Sequence, residues 1–459
     1  MAATEHIIRV AIRAPLQQLF DYLPPANACR TIKPGTRVRV PFGRGQSVGI
    51  VVQQAQHSAL ERSRLRRINK VLDTEPIIDD SLMKILGWAA AYYQQAPGEV
   101  YATALPALLR SGRPTDAMQD FWTLTSHGRD VDIESIRKRA PRQAAALDLL
   151  SGSNSGCNAE QFETRMGDGW RGIVRTLQKK DWIRREQRAC ETAQPAATTK
   201  PGSGPTLSSD QTLAVEKIAA GQHEYATYLL NGVTGSGKTE VYLQLIDRVL
   251  KNDRQALVLV PEIGLTPQLV ARFRRRLDQP LVVLHSALSD VGRLQAWRAI
   301  RSGSAKVVVG TRSAIFAPLC SPGIIIVDEE HDTSYKQQEG FRYSARDLAT
   351  MRGRELAIPV VLGSATPSLE SLHNVNLERY QQINLPSRAG GASMPTMHLL
   401  DMRKEPLNDG LSGSLINAMR KHLSNGNQVL LFLNRRGFAP VWFCPDCAWI
   451  SKCRRCDAH

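Results

Sequence analysis

The chain has 459 residues, of which 42% are hydrophobic and 22% charged, as in soluble globular proteins with room for about three domains. No apolar run approaches the ~18 residues of a membrane-spanning helix, and the N-terminus lacks the pattern of a signal peptide, so we expect a cytoplasmic protein without a membrane partner. Lysine and arginine number 59 against 43 aspartates and glutamates, a net charge of +16, which favours a polyanionic partner such as nucleic acid over a merely basic enzyme.

The first 190 residues predict two small units. Residues 1–110 contain short alternating apolar runs separated by proline and glycine, a pattern typical of a β-rich domain. Within them, the run ILGWAAAYY has helical spacing, and we expect Pro97 and Gly98 to end that helix. Residues 115–190 contain short amphipathic helices with basic surfaces, which fit a compact helical or winged-helix module.

A segment rich in proline, glycine and small polar residues follows, ETAQPAATTKPGSGPT, and predicts a linker. Beyond it, apolar runs such as QALVLVP, AKVVVGT and GIIIVDEE alternate with helical stretches. This alternation predicts a parallel sheet with helices on both faces. A second looser stretch precedes the strand QVLLFLN, as expected at the start of a further α/β lobe.

A phosphate-binding loop lies between an apolar strand and a helix. The segment fits the pattern G-x-x-x-x-G-K-[ST] in full and comprises Gly232, Val233, Thr234, Gly235, Ser236, Gly237, Lys238 and Thr239. Glycines let backbone N–H groups surround phosphates, and the helix N-terminus adds partial positive charge. Lys238 is therefore predicted to reach the β- and γ-phosphates of ATP, and the Thr239 hydroxyl to ligate Mg²⁺.

An acidic cluster, Asp328-Glu329-Glu330-His331, ends a later apolar run. Acids at the carboxyl end of a parallel strand point into the crevice where ligands bind. We expect Asp328 to hold Mg²⁺ through water and Glu329 to orient or deprotonate the attacking water. Three further segments follow predicted strands: Gly363-Ser364-Ala365-Thr366, Gly310-Thr311-Arg312 and Pro261-Glu262. Each alone favours a structural turn, and only their joint order favours a functional role.

The order of these motifs resembles superfamily 2 helicases. More narrowly, the segments GVTGSGKTEVY, LVPEIGLTPQL, VDEEHDTSYKQQEGFRY, GSATPSLES and LFLNRRG resemble the primosomal protein N′ (PriA) family of replication-restart DNA helicases. The resemblance runs from the N-terminal FDYLPP to CPDCAWISKCRRCD. It implies a RecA-like helicase lobe, ATP-driven 3′-to-5′ translocation at stalled forks, and partners that include forked and single-stranded DNA, other primosome proteins and single-stranded DNA-binding protein.

The resemblance also assigns candidate residues. It places Gln211 where such helicases read adenine, and an aromatic-rich loop at residues 335–343, where Phe341 and Tyr343 could stack on bases. Arg312 is a further candidate DNA contact. Candidates for a pocket that holds a nascent strand's 3′ end are Phe20, Asp21, Tyr22, Gly43 and Arg66. Without the family resemblance, we would interpret these aromatic residues as packing residues. Ser344 departs from the family, which typically has His there.

The last cysteines form two C-x-x-C pairs, which favour zinc over disulfides in a chain without a secretory signal. They are Cys444, Cys447, Cys453 and Cys456. The family uses eight such cysteines for two zinc ions, so these four would begin two sites, although they could also close one among themselves. The chain ends before the second-lobe motifs of such helicases, the arginine finger among them, and is expected to be a fragment or a truncated product.

The predicted organisation is α/β: a β-rich DNA-binding domain, a winged-helix-like module, a P-loop helicase lobe and the start of a second lobe with a cysteine segment. The expected boundaries are residues 1–112, 113–191, a linker at 192–206, then 207–385, 386–443 and 444–459. The expected function is that of an ATP-dependent helicase acting as a monomer. Two alternatives remain open, a non-catalytic module that binds ATP and forks, and a double-strand translocase.

Overall fold

The computed structural model describes residues 6–26, 32–115, 118–153, 156–189, 204–221, 224–277, 279–389, 396–402, 405, 407–432, 447 and 449–450. The chain divides into two compact units, Met1–Gly391 and Ala392–His459. No helix in the described ranges is long and apolar enough to cross a membrane.

The N-terminal domain is built on an antiparallel sheet. Its strands are β1 (Ile7–Ile12), β2 (Phe20–Tyr22), β3 (Arg37–Phe42), β4 (Gly45–Ala55) and β5 (Lys70–Val71). They lie in the order β2-β1-β4-β3-β5. Alternate apolar residues, including Val10, Val38, Val40 and Val51, are fully buried on one face, as period-two patterning requires. The predicted β-rich unit is confirmed.

Three helices follow, α1 (Asp80–Tyr92), α2 (Pro97–Thr103) and α3 (Ala107–Arg110). The expectation that Pro97 and Gly98 end a helix is wrong, because α1 already ends at Tyr92 and Pro97 begins α2. Proline suits the first position of a helix, where its missing N–H is not needed. Gly98 allows close packing on β1, since a Cβ there would lie 1.7 Å from the Ile12 carbonyl oxygen.

The next module combines five helices with a three-stranded antiparallel sheet of order β7-β6-β8. Its elements are β6 (Met118–Leu124), α4 (Ser126–Arg129), α5 (Ile133–Arg139), α6 (Pro141–Ser151), β7 (Cys157–Asn158), α7 (Ala159–Met166), α8 (Trp170–Lys179) and β8 (Ile183–Ala189). Trp122, Phe162 and Trp170 form its core, with ring centroids 5.5–5.7 Å apart. This core is separate from that of the N-terminal sheet.

The largest element is a seven-stranded parallel sheet with helices on both faces. Its elements are α9 (Ser209–Ala220), β9 (Thr227–Gly232), α10 (Lys238–Lys251), β10 (Gln255–Leu259), α11 (Pro267–Arg276), β11 (Leu281–Leu284), α12 (Asp290–Arg301), β12 (Val307–Gly310), β13 (Pro322–Val327), α13 (Ala345–Leu356), β14 (Val360–Ser364), α14 (Leu369–Asn376) and β15 (Gln381–Leu385). The strand order is β11-β12-β10-β13-β14-β9-β15, and every pair is parallel. The phosphate-binding loop after β9 and the predicted turns at the ends of β10, β12, β13 and β14 therefore lie at one edge of this sheet, where its parallel strands end.

Helices α1 to α3 share a buried apolar cluster with this lobe, in which Leu82 and Leu86 join Leu348 and Ile315. The second unit contains, in its described residues, a hairpin of β16 (Leu407–Asn408) and β17 (Leu411–Ser412) followed by α15 (Gly413–Ser424). The Ser412 hydroxyl caps α15 by accepting a hydrogen bond from the Leu415 backbone N–H. The expected mixed α/β fold class is confirmed.

Candidate functional site

The loop from Gly232 to Lys238 leaves β9 and opens α10, as its sequence predicts. Gly235 and Gly237 have φ angles of +84° and +82°, which favour glycine. Lys238 is 9% exposed, and its Nζ donates a 2.9 Å hydrogen bond to the Gly232 carbonyl. The Ser236 hydroxyl is buried without a hydrogen-bond partner among the described residues. The loop thus holds a buried cation and an unused hydroxyl together at a helix N-terminus.

Asp328 follows β13 and is held by two tyrosines. The Tyr242 hydroxyl donates to Asp328 Oδ1 at 2.9 Å, and the Tyr335 hydroxyl donates to the Asp328 carbonyl at 2.6 Å. Burial and the neighbouring Glu329 carboxylate raise the pKa of Asp328. A carboxylate and the Thr239 hydroxyl are hard oxygen donors, which suit Mg²⁺. The donor set therefore fits the predicted metal.

Residues beyond Asp328 connect the acidic turn to β14. Glu329 has a positive φ of +46°, a sparsely populated conformation for a residue with a side chain. The His331 ring lies 2.7 Å from the Ser364 hydroxyl and 3.4 Å from that of Thr366. The turns after β13 and β14, predicted separately, are therefore joined by hydrogen bonds.

Glu330 anchors the same turn from the inside. Its side chain is fully buried and accepts hydrogen bonds from Arg346 Nη1 at 3.1 Å, the Ser368 N–H at 2.7 Å and the Ser371 hydroxyl at 2.9 Å. A buried carboxylate needs such partners because desolvation of its charge is unfavourable. Glu330 therefore fixes the acidic turn and leaves Asp328 and Glu329 as the candidates for chemistry.

Gln211, the candidate for adenine recognition, lies against the phosphate-binding loop. Its side-chain oxygen accepts from the Ser208 N–H at 2.9 Å, and its Nε2 donates to the Ser236 carbonyl at 2.8 Å. The first bond belongs to the capping box of α9. The structure thus gives Gln211 a role in positioning the loop, and adenine recognition stays a prediction.

The predicted aromatic-rich segment is packed into the protein. Phe341 and Tyr343 are 5% and 3% exposed, with ring centroids 4.9 Å apart, and both contact Phe316. The Tyr93 ring of the N-terminal domain lies 5.9 Å from that of Phe341, and its hydroxyl accepts from the Ser344 N–H at 3.2 Å. Stacking on a base would require these rings to leave this packing, so the DNA contact stays a prediction.

Arg312 supports the start of the same segment. Its Nη1 donates to the carbonyls of Ser334 and Lys336 at 2.9 and 3.2 Å, and its Nη2 lies 3.5 Å from a Glu262 carboxylate oxygen. The structure therefore joins the turns after β10 and β12 to the aromatic-rich segment. A phosphate contact by Arg312 is untested.

The five candidates for the 3′-end pocket lie close together in the N-terminal domain. The Phe20 ring packs 5.1 Å from Phe42, the residue before Gly43, and the Tyr22 hydroxyl donates to the Pro41 carbonyl at 2.9 Å. The Leu23 N–H donates to the Arg66 carbonyl, and the exposed Arg66 charge lies near Tyr22. Asp21 pairs with Arg9 at 3.3 Å. The contacts bring these residues to one part of the domain, and their use as a pocket for a 3′ end stays a prediction.

Three of the four C-terminal cysteines, Cys444, Cys453 and Cys456, lie outside the described residues. Cys447 is described and is an exposed free thiol. Within the described residues, no group of three or more His, Cys, Asp and Glu side chains could hold a metal ion.

Sequence reasoning did not identify Tyr242 as a site residue. It lies within the apolar pattern VYLQL, which predicts that an aromatic residue there packs in the hydrophobic core. Only the fold brings its hydroxyl to Asp328.

Two family models match the chain. Residues 9–106 match the 3′ DNA-binding domain of PriA, and residues 208–375 match the DEAD/DEAH box helicase family. The first covers the N-terminal sheet with α1 and α2, and the second covers the parallel sheet through β14. Among solved structures, RecG bound to a three-way DNA junction is similar at 19% identity and a TM-score of 0.38, covering 49% of this chain and 29% of that one, too distant to carry an argument.

Curated relatives match almost the entire chain. The replication restart protein PriA of Haemophilus influenzae is 42% identical over 98% of this chain, and that of Bacillus subtilis is 32% identical over 95% of it. The alignments cover 61% and 63% of those proteins, so the chain spans about three fifths of their length. Taken with the PriA-specific domain at its N-terminus, these matches show that the chain belongs to the PriA family of replication restart proteins.

Proposed function

We propose that the loop from Gly232 to Thr239 binds ATP with Mg²⁺. Lys238 is the cation for the β- and γ-phosphates, and its bond to the Gly232 carbonyl can be exchanged for a phosphate oxygen. Thr239 and Asp328 would hold Mg²⁺, which when bound neutralises charge that develops on the phosphates. This assignment is supported by the position of Asp328 at the end of β13, in the same row of strand ends as the loop.

The acidic turn after β13 supplies the residue that we propose for ATP hydrolysis. Glu329 orients or deprotonates a water for in-line attack on the γ-phosphate. Glu329 has a positive φ of +46° and adjoins Glu330, whose buried hydrogen bonds anchor the same turn. The link from His331 to Ser364 connects the same turn to β14, and thereby gives a route by which nucleotide binding can move the turn after β14.

We further propose that ATP hydrolysis drives 3′-to-5′ movement on DNA, in a protein that recognises stalled or repaired replication forks and restarts replication. The 3′-end pocket would read the leading strand, with Asp21 accepting a hydrogen bond from a free 3′-OH and Arg66 meeting a phosphate. With a net charge of +16, the affinity for DNA should fall steeply with salt. Other primosome proteins and single-stranded DNA-binding protein are the proposed protein partners.

The observation that carries this function is the pairing of the Lys238 loop with Asp328 at one sheet edge, in a chain that begins with a PriA-type DNA-binding domain. The test measures ATP hydrolysis by the chain with and without forked DNA, with Lys238→Ala as the blank. Turnover stimulated by forks and lost in the variant supports the proposal. Equal ATP turnover by the parent and by Lys238→Ala contradicts the assignment of the ATP site. Binding of forked DNA by the parent without ATP turnover identifies a recognition module.

We also propose that Cys444, Cys447, Cys453 and Cys456 bind zinc. Four thiolates in two C-x-x-C pairs suit tetrahedral coordination. The test is the zinc content of the purified chain beside that of a variant with Cys447→Ser, and an equal zinc content in both contradicts the site.

A further inference from the structure

Arg388 lies beside the phosphate-binding loop, although it belongs to none of the motifs described above. We propose that Arg388 is a further nucleotide-binding residue, whose guanidinium contacts the phosphate chain of the nucleotide that the loop holds. This inference rests on the proposed ATP site.

Two backbone hydrogen bonds hold the segment after β15 against the loop. The Val233 N–H donates to the Leu385 carbonyl at 3.2 Å, and the Ala389 N–H donates to the Gly235 carbonyl at 2.9 Å. Arg388 lies between these two attachment points. Its backbone is therefore fixed relative to the glycines that would surround a phosphate.

The stem of the Arg388 side chain packs against the loop itself. A Cβ built on Gly235 would lie 3.9 Å from both Cγ and Cδ of Arg388, an ordinary van der Waals distance. A Cβ on Gly237 would similarly lie 3.8 Å from the Ala389 Cβ. The aliphatic part of Arg388 therefore lies next to Gly235 of the loop.

The guanidinium has no partner of its own among the described residues. Its Nε is buried without a hydrogen bond, and no described residue forms an ion pair with it. A buried Nε without a hydrogen bond is not unique to Arg388, since Arg352 has one too, but Arg352 donates through its Nη atoms to the Ile315 and Ala317 carbonyls. The half-buried Arg276 likewise pairs through Nη2 with Glu240 at 2.6 Å. A buried N–H without an acceptor is unfavourable, so the site calls for an acceptor that the described protein does not supply.

A phosphate is the acceptor that fits best. The planar guanidinium matches two phosphate oxygens at once, and such charge-assisted bonds are the stronger kind. The Ser236 hydroxyl, in the same loop, is likewise buried without a partner in the described ranges. Two donors without partners in the described ranges, one in the phosphate-binding loop and one beside it, point to the same ligand.

The experiment measures the dissociation constants of fluorescent ATP and ADP for the 459-residue chain and for Arg388→Ala. Both nucleotides should bind the variant about tenfold more weakly, because one charge-assisted contact is lost. Arg388→Lys should retain part of the affinity, since lysine keeps the positive charge but lacks the planar guanidinium that can bind two phosphate oxygens at once. The melting temperature without nucleotide, and the affinity for DNA without nucleotide, should stay unchanged.

Arg379→Ala is the matched control, because Arg379 is an exposed arginine that precedes β15, whereas Arg388 follows it, and the strand between them is about 16 Å long. The inference is overturned if Arg388→Ala binds nucleotide within twofold of the parent, if Arg379→Ala loses as much, or if the loss comes with a lower melting temperature. If the parent binds no better than Lys238→Ala, the proposed ATP site itself fails, and the inference with it. If the parent binds nucleotide more tightly than Lys238→Ala but no more tightly than Arg388→Ala, the ATP site stands and only the role of Arg388 is rejected.

Discussion

The Tyr242 hydroxyl donates a 2.9 Å hydrogen bond to Asp328 Oδ1, and this bond joins the helix after the phosphate-binding loop to the acidic end of β13. Tyr242 is 1% exposed. Gly363, in β14, leaves room for it, since a Cβ there would lie 1.6 Å from the tyrosine oxygen. One hydroxyl thus links its own helix α10 to two neighbouring segments, the end of β13 and β14, and it fixes the carboxylate that is proposed to hold Mg²⁺.

Tyr242→Phe is therefore expected to weaken the Mg²⁺ dependence of nucleotide binding without unfolding the lobe. The ring keeps its packing, while the carboxylate loses one hydrogen bond to a charged group, worth about 1.5 kcal/mol or more. The Mg²⁺ concentration for half-maximal binding of fluorescent ATP should rise about tenfold. Tyr228→Phe, which also removes a buried tyrosine hydroxyl in this lobe, is the control. An unchanged Mg²⁺ midpoint would show that Tyr242 only packs.

Asp21 is predicted to make the pocket bind a strand with a free 3′-OH more tightly than one with a 3′-phosphate. Its carboxylate is 14% exposed and pairs with Arg9, so removing it also releases a cation. Asp21→Ala should abolish the preference for a 3′-OH and improve binding of a 3′-phosphate severalfold, because Arg9 and Arg66 then face the phosphate without a carboxylate. Anisotropy with forks that differ only in this terminus measures the effect.

Glu75→Ala is the control for this prediction, since it removes a 65% exposed carboxylate of the same domain that pairs with Lys33. A preference for the 3′-OH that persists in Asp21→Ala would exclude the pocket.

The sequence was sufficient to predict the parallel lobe and its motifs. The loop around Lys238 and the acids after β13 are local patterns, in which a strand, a turn and a helix follow each other within a few residues. The helix boundary near Pro97 was predicted wrongly because proline both follows helices and begins them, and only the packing of Gly98 on Ile12 shows which applies.

The contacts of Phe341 and Ser344 with Tyr93 could not be predicted, because Tyr93 lies 251 residues before Ser344 in the chain. No local pattern reports a contact of that separation. The same holds for Tyr242 in α10, whose neighbours Asp328 and Gly363 come from the turn after β13 and from β14.

Tyr93 is expected to hold the aromatic-rich segment closed. Its ring contacts Phe341 and lies 5.0 Å from the Lys336 ammonium, and its hydroxyl accepts from the Ser344 N–H. Tyr93→Ala removes all three contacts, so trypsin should cut after Lys336 or Arg342 about tenfold faster, which corresponds to ~1.4 kcal/mol of easier local opening. The rate of appearance of the fragments, identified by mass, measures it.

Tyr92→Ala tests whether this effect is specific, because Tyr92 lies at the end of the same helix and is 62% exposed. Cleavage that accelerates equally in both variants, or in neither, would contradict a closing role for Tyr93.

Glu330 is predicted to be a structural residue of the acidic turn, in contrast to its neighbours Asp328 and Glu329. Glu330→Gln keeps the shape but replaces an acceptor oxygen with an NH₂ group, which faces the Arg346 guanidinium and the Ser368 and Ser371 hydroxyls. Breaking such a buried network costs about 3 kcal/mol, which should lower the melting temperature by about 6–10 °C. Glu370→Gln is the matched control, since Glu370 approaches Arg346 only at 3.9 Å and is 72% exposed. Equal melting temperatures for the two variants would show that the buried network contributes no more than a surface ion pair.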